Sequence, residues 1–196
     1  MRADLASLLR QRRGHFELES GHHGDLWLDL ELLCSRPSLV RPLVVELAEQ
    51  LRPYEIQTIC GPLVEGALIG MFVAEELDVE FVYSEQQPDA NSSRLFPVTY
   101  RIPEGLRGLH NRRVAIANDV INAGSAVQGS LRDLQACGAK VVTIGTLLTL
   151  GSKPAELAQE AAVPLETLGT EPNTIWTPEE CPLCAAGIPL TSFAAR

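Results

Sequence analysis

The chain is poor in aromatic residues and in lysine, and it contains no apolar run long enough to cross a membrane. Only 5% of its 196 residues are aromatic, although 45% are hydrophobic, and lysine occurs only at positions 140 and 153. A transmembrane helix needs about 20 consecutive apolar residues, so we expect no membrane-spanning segment and no membrane partner. The first 13 residues are polar and amphipathic, unlike a signal peptide, and we therefore expect a cytoplasmic protein of one main domain.

Positive charge is scarce as well. The formal net charge is −9 at pH 7. Nonspecific nucleic-acid binding depends on a cationic surface that displaces counterions, so this balance opposes a nucleic-acid partner. The chain also has no internal repeat and no Gly-x-Gly-x-x-Gly fingerprint of a dinucleotide site.

Five cysteines, an odd number in a chain without an export signal, are typical of reduced cytosolic thiols. Three of them have the surroundings of core residues. Cys181 and Cys184 form a Cys-x-x-Cys pair, whose spacing suits a zinc knuckle, a redox pair or a plain turn of the tail. The second half of a zinc site is missing nearby, and His22, His23 or Cys34 would complete it only across the fold, unless a second subunit did so.

Residues 1–35 are predicted to form an N-terminal helix followed by a hairpin. Apolar residues share one face over residues 4–13, and Gly14 is a suitable helix terminator. Residues 15–18 and 25–30 then alternate between apolar and polar, which is typical of two short strands joined by a turn.

Helices and strands alternate beyond this hairpin. We predict helices at 35–53, 67–77, 125–137 and 154–161, and strands at 56–60, 79–83, 98–102, 113–117, 141–148 and 164–168. The alternation predicts an α/β domain over residues 1–170 with a doubly wound, mainly parallel five-stranded sheet flanked by helices. Residues 84–97 are polar and break the pattern, so we expect a long exposed loop before the strand at 98–102, and 171–196 form a tail.

The segment 113–126 carries the strongest chemical signal. Its apolar strand leads to Asn118 and Asp119, at the carboxyl end, where open α/β sheets bind ligands. Small residues then turn the chain into a helix, and they leave backbone N–H groups exposed at a helix N-terminus, which favours a phosphate. This turn consists of Asn122, Ala123, Gly124, Ser125 and Ala126. Because the acid beside it can hold ribose hydroxyls or a metal ion, the segment predicts a site for a phosphorylated sugar.

This segment resembles the phosphoribosyl diphosphate signature of type I phosphoribosyltransferases, in which two acids and two apolar residues precede a Thr/Gly/Ser-rich turn. Asp119, Gly124 and Ser125 match directly, whereas Asn118 stands where the family usually has an acid. The resemblance implies the type I phosphoribosyltransferase fold and a Mg²⁺-dependent transfer of phosphoribose to a nitrogen base. It implies that Asp119 and Asn118 lie at the reacting ribose, with Asp119 contacting Mg²⁺ indirectly.

Three further stretches resemble the orotate branch of this family. Ser20 and Gly21 form a Ser-Gly turn that precedes Trp27, an aromatic residue expected over the base. A second stretch is similar to the diphosphate loop and contains Gly61, Pro62, Glu65 and Gly66. Residues 84–104 lie where the family has a flexible hood. The resemblance implies a homodimer in which each hood reaches the neighbouring site. Arg94 and Arg101 lie in or near the hood and are either bidentate phosphate clamps acting in the neighbouring site or solvated loop arginines.

The lysines that the orotate branch supplies are missing. Glu19, Glu65 and the acidic run 84–89 stand in their places, and no basic residue precedes Lys153 where the branch binds the carboxylate of orotate. Two hypotheses follow. The chain is an orotate-type phosphoribosyltransferase of pyrimidine nucleotide synthesis, or it is a catalytically impaired protein of the same fold that binds a phosphoribosyl ligand or nucleotide in a regulatory role.

Overall fold

The computed structural model describes residues 5, 8–88, 95 and 98–192. The helices are α1 (Pro37–Leu51), α2 (Glu65–Leu77), α3 (Ser125–Ala136), α4 (Lys153–Glu160) and α5 (Pro182–Ala185). The strands are β1 (Arg10–Glu17), β2 (His23–Asp29), β3 (Thr58–Pro62), β4 (Glu80–Pro88), β5 (Val98–Arg101), β6 (Arg113–Ile121), β7 (Lys140–Leu150), β8 (Leu165–Thr167), β9 (Thr170–Glu171), β10 (Ile175–Trp176) and β11 (Thr191–Ser192). None of the helices within these ranges is long and apolar enough to cross a membrane.

Five parallel strands form the main sheet, in the order β4-β3-β6-β7-β8. The predicted five-stranded parallel sheet is therefore confirmed. Strand β5 adds to its edge antiparallel to β4, and the short β9 pairs with β7. The strand order reverses between β3 and β6, and ligands bind outside the carboxyl ends of strands at such a point.

Helices cover both faces of this sheet, which is why its central strands are apolar almost without interruption. In β6, Ala115 and Ala117 face the core shared with α1 and α2. Val114 and Ile116 face the opposite core, shared with α3 and α4. The strand is thus fixed from both sides, and its carboxyl end is held rigidly at the strand-order reversal.

A second, four-stranded sheet has the order β10-β2-β1-β11. It combines the N-terminal hairpin, β1 and β2, with two short strands of the C-terminal tail. Residues 171–192 are thus joined to the start of the chain through Ile175 opposite Gly24 and through Thr191 opposite Phe16.

The prediction of a helix up to residue 13 is wrong, because β1 already begins at Arg10 and Gly14 lies inside it. Arg12 donates two hydrogen bonds to Asp29 across the hairpin, at 3.0 and 2.8 Å. Such cross-strand pairing stabilises the extended chain, and a local helical pattern does not reveal it. Of the preceding stretch, Leu5 and Leu8 are helical.

The predicted exposed loop at 84–97 is partly a two-stranded arm. Residues 84–88 continue β4, and they pair antiparallel with β5, with Glu85 opposite Arg101. The predicted strand at 98–102 is confirmed over Val98–Arg101. The arm extends beyond the carboxyl edge of the sheet, next to the ends of β3 and β6.

Candidate active site

A cleft of about 290 Å³ lies over the carboxyl ends of β3 and β6, where the strand order reverses. The N-terminal hairpin forms one wall, and the segments after β3 and β6 form the others. Of the residues predicted for a site, the cleft is lined by Ser20, Trp27, Pro62, Glu65, Gly66, Asn118, Asp119, Asn122, Ala123, Gly124, Ser125 and Ala126. The fold therefore brings together three stretches that are distant in the sequence.

Gly124 makes the turn from β6 into α3. Its φ is +85°, and a Cβ atom there would lie 2.6 Å from Cδ1 of Leu157, so only glycine fits. Helix α3 begins at Ser125, and no side chain of the described residues caps it. The first N–H groups of an α-helix lack partners within the helix and carry its positive dipole end. This turn can therefore bind a phosphate.

Asp119 is buried at the carboxyl end of β6, with only 4% of its surface exposed. Among the described residues its Oδ2 has no hydrogen-bond partner. Burial raises the pKa of Asp119 to about 7. Backbone hydrogen bonds at Val120 and at Asp119 itself lower the pKa, whereas the negative charge of Glu65 raises it further. A buried polar atom without a partner is costly, so this oxygen is suited to a ligand hydroxyl or to a bound cation.

Asn118 packs against the start of α2. Its Nδ2 donates to the backbone carbonyl of Val120 at 3.0 Å. A Cβ atom on Gly66 would lie 2.1 Å from Oδ1 of Asn118, so the glycine permits this contact. Asn118 stands at the sequence position where the resemblance implies an acid. Its amide adds no charge to a cleft that already holds the carboxylates of Glu19, Glu65 and Asp119.

The segment after β3 contributes a second wall. Pro62, Glu65 and Gly66 line the cleft, and the peptide bond between Leu63 and Val64 is cis. Gly61 is not in the lining. A Cβ atom there would lie 2.6 Å from the Cα of Ala67, so this glycine permits close packing of β3 against α2.

Glu19 links the hairpin to the turn between β6 and α3. Ser125 Oγ donates to Glu19 Oε1 at 2.6 Å, and the Tyr100 hydroxyl donates to Oε2 at 2.9 Å. Burial and the charge of Glu19 raise the pKa of Tyr100, so this hydroxyl stays protonated. Gln86 of the arm adds a hydrogen bond of 3.2 Å to the same carboxylate. One acidic side chain therefore joins the hairpin, the arm and the turn before α3.

The hairpin also supplies an aromatic surface. Trp27 lines the cleft, and its ring centroid lies 6.0 Å from that of Phe16. Gly21, with φ of +77°, forms the turn without lining the cleft. His22 lies 3.0 Å from Ser20 through Nδ1 and Oγ, and burial followed by the positive charge of Lys153 lowers the pKa of His22.

No lysine, arginine or histidine is among the described residues that line the cleft. Arg101 borders a different pocket, on the arm, together with Glu85 and Arg107. Arg94 lies outside the described residues. The side chains around the cleft thus offer carboxylate and amide oxygens from Asp119, Glu65 and Asn118, which is the donor chemistry that Mg²⁺ prefers.

Cys181 and Cys184 do not line the cleft. They lie with His15 and His23 on the four-stranded sheet, as described below. The sequence alone did not indicate His15 as a member of this group. Cys34, which the sequence left open as a zinc ligand, is not part of the group. Burial raises the pKa of the Cys34 thiol to about 11, and the negative charges of Asp119 and Glu65 add to this rise.

The chain is similar to known proteins over most of its length. The orotate phosphoribosyltransferase of Caldanaerobacter subterraneus is 27% identical over 184 residues, which cover 94% of this chain and 90% of that protein. That of Helicobacter pylori is 29% identical over 186 residues, which cover 89% and 88% of the two chains.

Solved structures show the same fold. The orotate phosphoribosyltransferase of Aeropyrum pernix superimposes with a TM-score of 0.63 at 21% identity, over 84% of this chain and 88% of that one. The adenine phosphoribosyltransferase of Rhodothermus marinus does so with a TM-score of 0.67 at 21% identity, over 87% of this chain and all of that one. The family model described as phosphoribosyl transferase domain matches residues 38–183, from α1 to the Cys-x-x-Cys pair. With most of its length matched, the chain belongs to the phosphoribosyl transferase domain family.

Proposed function

We propose that this protein transfers phosphoribose from phosphoribosyl diphosphate to a nitrogen base, with orotate as the first candidate base and pyrimidine nucleotide synthesis as its role. One observation carries the proposal. Asp119, whose Oδ2 has no partner among the described residues, lines the same cleft as the uncapped start of α3 and Trp27. A phosphate, a ribose and a flat base can therefore be held by three adjacent groups.

The 5′-phosphate would bind at the start of α3. Backbone N–H groups from Ser125 onward and the Ser125 hydroxyl supply donors, and the helix dipole favours a negative charge there. The Glu19 carboxylate, which accepts the Ser125 hydroxyl in the free protein, would have to release it. Phosphate binding thus opens the hairpin contact, and release restores it.

The ribose would lie over the end of β6. Ionised Asp119 would accept hydrogen bonds from ribose hydroxyls through Oδ2, which no described residue satisfies. Asn118 and Glu65 supply neutral and anionic oxygens at the same place. When bound, Mg²⁺ offsets the negative charge of the diphosphate. In a cleft whose described lining contains no cationic side chain, this requirement is stronger than in a lysine-rich site.

The base would stack on the hairpin wall near Trp27. Lys153 begins α4, where its Nζ pairs with Glu156 at 2.7 Å, and as the first basic residue after β7 it is a candidate counter-charge for an anionic base. The relatives named orotate phosphoribosyltransferase also support orotate as the base. Because an adenine phosphoribosyltransferase has the same fold, the test below includes other bases as well. A homodimer is part of the proposal, since Arg101 lies outside the cleft of its own chain.

The alternative is a binding or regulatory protein that has lost catalysis. Glu19 and Glu65 favour it, because a carboxylate beside a diphosphate costs on the order of 1 kcal/mol even in water-like dielectric. The relatives named above are all phosphoribosyltransferases, and they do not support it. We therefore place catalysis first.

The test is diphosphate release from phosphoribosyl diphosphate with Mg²⁺ and a panel of orotate, uracil and adenine. We expect release with orotate, and its loss in Asp119→Asn. Asp78→Asn is the matched control, because Asp78 is exposed at the end of α2 and Asn tolerates its positive φ. No release with any base, combined with calorimetric binding of ribose 5-phosphate, would favour the binding protein instead.

A further inference from the structure

Four metal-ligating side chains meet on the four-stranded sheet. His15 of β1, His23 of β2, Cys181 and Cys184 each present one ligand atom, and these atoms all lie within 4.8 Å of one another. His15, His23 and Cys181 are buried. None of the four lines the cleft, so the cluster is separate from the proposed active site.

Four of the six distances between the ligand atoms are close to the edges of a tetrahedron around zinc. His15 Nε2 lies 3.2 Å from His23 Nδ1. Cys184 Sγ lies 3.7 Å from His15 Nε2 and 3.3 Å from His23 Nδ1, and Cys181 Sγ lies 3.4 Å from His15 Nε2. Tetrahedral Zn²⁺ with usual bond lengths separates two nitrogens by about 3.3 Å and a nitrogen from a sulfur by about 3.6 Å.

A supporting contact orients one of the histidines. Nδ1 of His15 lies 2.8 Å from the backbone carbonyl oxygen of Ile188, which can only accept a hydrogen bond. The proton of neutral His15 is therefore on Nδ1, and the lone pair of Nε2 points to the cluster. Ligating histidines in metalloproteins are commonly held by such a contact.

A bulge in β1 brings His15 into place. Arg13 pairs with Leu26 and Phe16 pairs with Gly24, so Gly14 and His15 together oppose a single residue of β2. A bulge changes the direction in which the following side chains point. Both His15 and the adjacent Phe16 are buried as a result, on a strand whose first five residues are exposed.

We propose that His15, His23, Cys181 and Cys184 form a structural zinc site that ties the C-terminal tail to the N-terminal hairpin. Two thiolates and two neutral imidazoles balance the charge of Zn²⁺, so the loaded site is neutral and suited to burial. Binding releases the two thiol protons to solvent, without any redox change. All four ligands come from the protein, which leaves no open position for catalysis.

The site bears on the cleft only through the hairpin. Glu19 and Trp27 lie on or beside the same two strands that carry His15 and His23. The metal would fix the position of that wall. The test of this zinc site is independent of the proposed transfer reaction, because the metal content of the protein can be measured without any substrate.

The experiment is elemental analysis of the full-length, untagged protein purified under reducing conditions. We expect about one zinc per chain, as for a closed four-ligand site. Cys184→Ser and His15→Ala should lose nearly all of it. Cys137→Ser is the matched control and should retain it, since Cys137 lies at the end of α3 away from the cluster.

A second measurement does not depend on variants folding well. Wild-type protein stripped of metal and loaded with Co²⁺ should show the intense visible absorption of a tetrahedral cobalt–thiolate site. A cobalt spectrum typical of octahedral oxygen ligands, or a reduced protein that retains no zinc after reloading and removal of free metal, would each overturn the proposal.

Discussion

Ser125 Oγ donates a hydrogen bond of 2.6 Å to Glu19 Oε1, so a hairpin carboxylate lies at the start of the helix that would bind phosphate. The same carboxylate accepts from Tyr100. A bound phosphate and the Glu19 carboxylate would therefore compete for the Ser125 hydroxyl, and both are negatively charged.

Replacing Glu19 by glutamine should strengthen the binding of ribose 5-phosphate. The amide oxygen can still accept from Ser125, while the charge is removed, and repulsion on the order of 1 kcal/mol corresponds to about fivefold in affinity. Calorimetry with ribose 5-phosphate measures the change. Glu104→Gln is the control, because that side chain is fully exposed on a different pocket. Unchanged or weaker binding in Glu19→Gln would contradict the proposed phosphate position.

Asp119→Asn should stabilise the ligand-free protein, and increasingly so as the pH rises. The pKa of Asp119 is about 7 when folded against an ordinary value of 3.8, so the folded state holds a proton that the unfolded state releases between these values. The free energy of unfolding of the wild type therefore falls as the pH rises through this window. We expect the advantage of the variant to grow by roughly 2 kcal/mol from pH 5 to pH 8.

Denaturant unfolding at several pH values measures this difference. Asp78→Asn removes an exposed carboxylate and should show no such growth. If the difference in the free energy of unfolding between Asp119→Asn and the wild type stayed constant from pH 5 to pH 8, the pKa of Asp119 would not be raised by folding.

Gly66→Ala should disturb both stability and ligand binding. The added Cβ would lie 2.1 Å from Oδ1 of Asn118, and relieving such an overlap typically costs about 1–3 kcal/mol. Gly105→Ala is a suitable control, because a Cβ atom at Gly105 would meet nothing within 4 Å. Chemical denaturation gives the stability change and calorimetry the ligand affinity. Equal behaviour of the two variants would show that Asn118 moves aside without cost.

Removing zinc should loosen the tail before the main sheet. A strong chelator is expected to lower the melting temperature of the wild type and to make the segment between β9 and β11 sensitive to limited proteolysis. Cys137→Ser should respond in the same way as the wild type, and Cys184→Ser should not respond at all. Mass spectrometry of the fragments locates the cleavage. Early cleavage within β6 or β7 would argue that the metal supports the main sheet instead.

The parts of this molecule that were predictable from sequence are those encoded locally. The apolar run of β6 and the small residues up to Gly124 lie within one stretch, so strand, turn and helix followed from their order. Residues 10–13 were mistaken for helix because their partner, β2, lies across a turn. His15 was missed for a related reason, since its role depends on a bulge and on a tail more than 160 residues away.

The four-stranded sheet has a consequence for how the protein is made. Its first two strands are translated well before β10 and β11, which pair with them and follow the whole main sheet in the sequence. Pairing between such distant segments is slow to form. A chain translated only through the main sheet therefore lacks the two tail strands that complete the sheet forming the hairpin wall of the cleft.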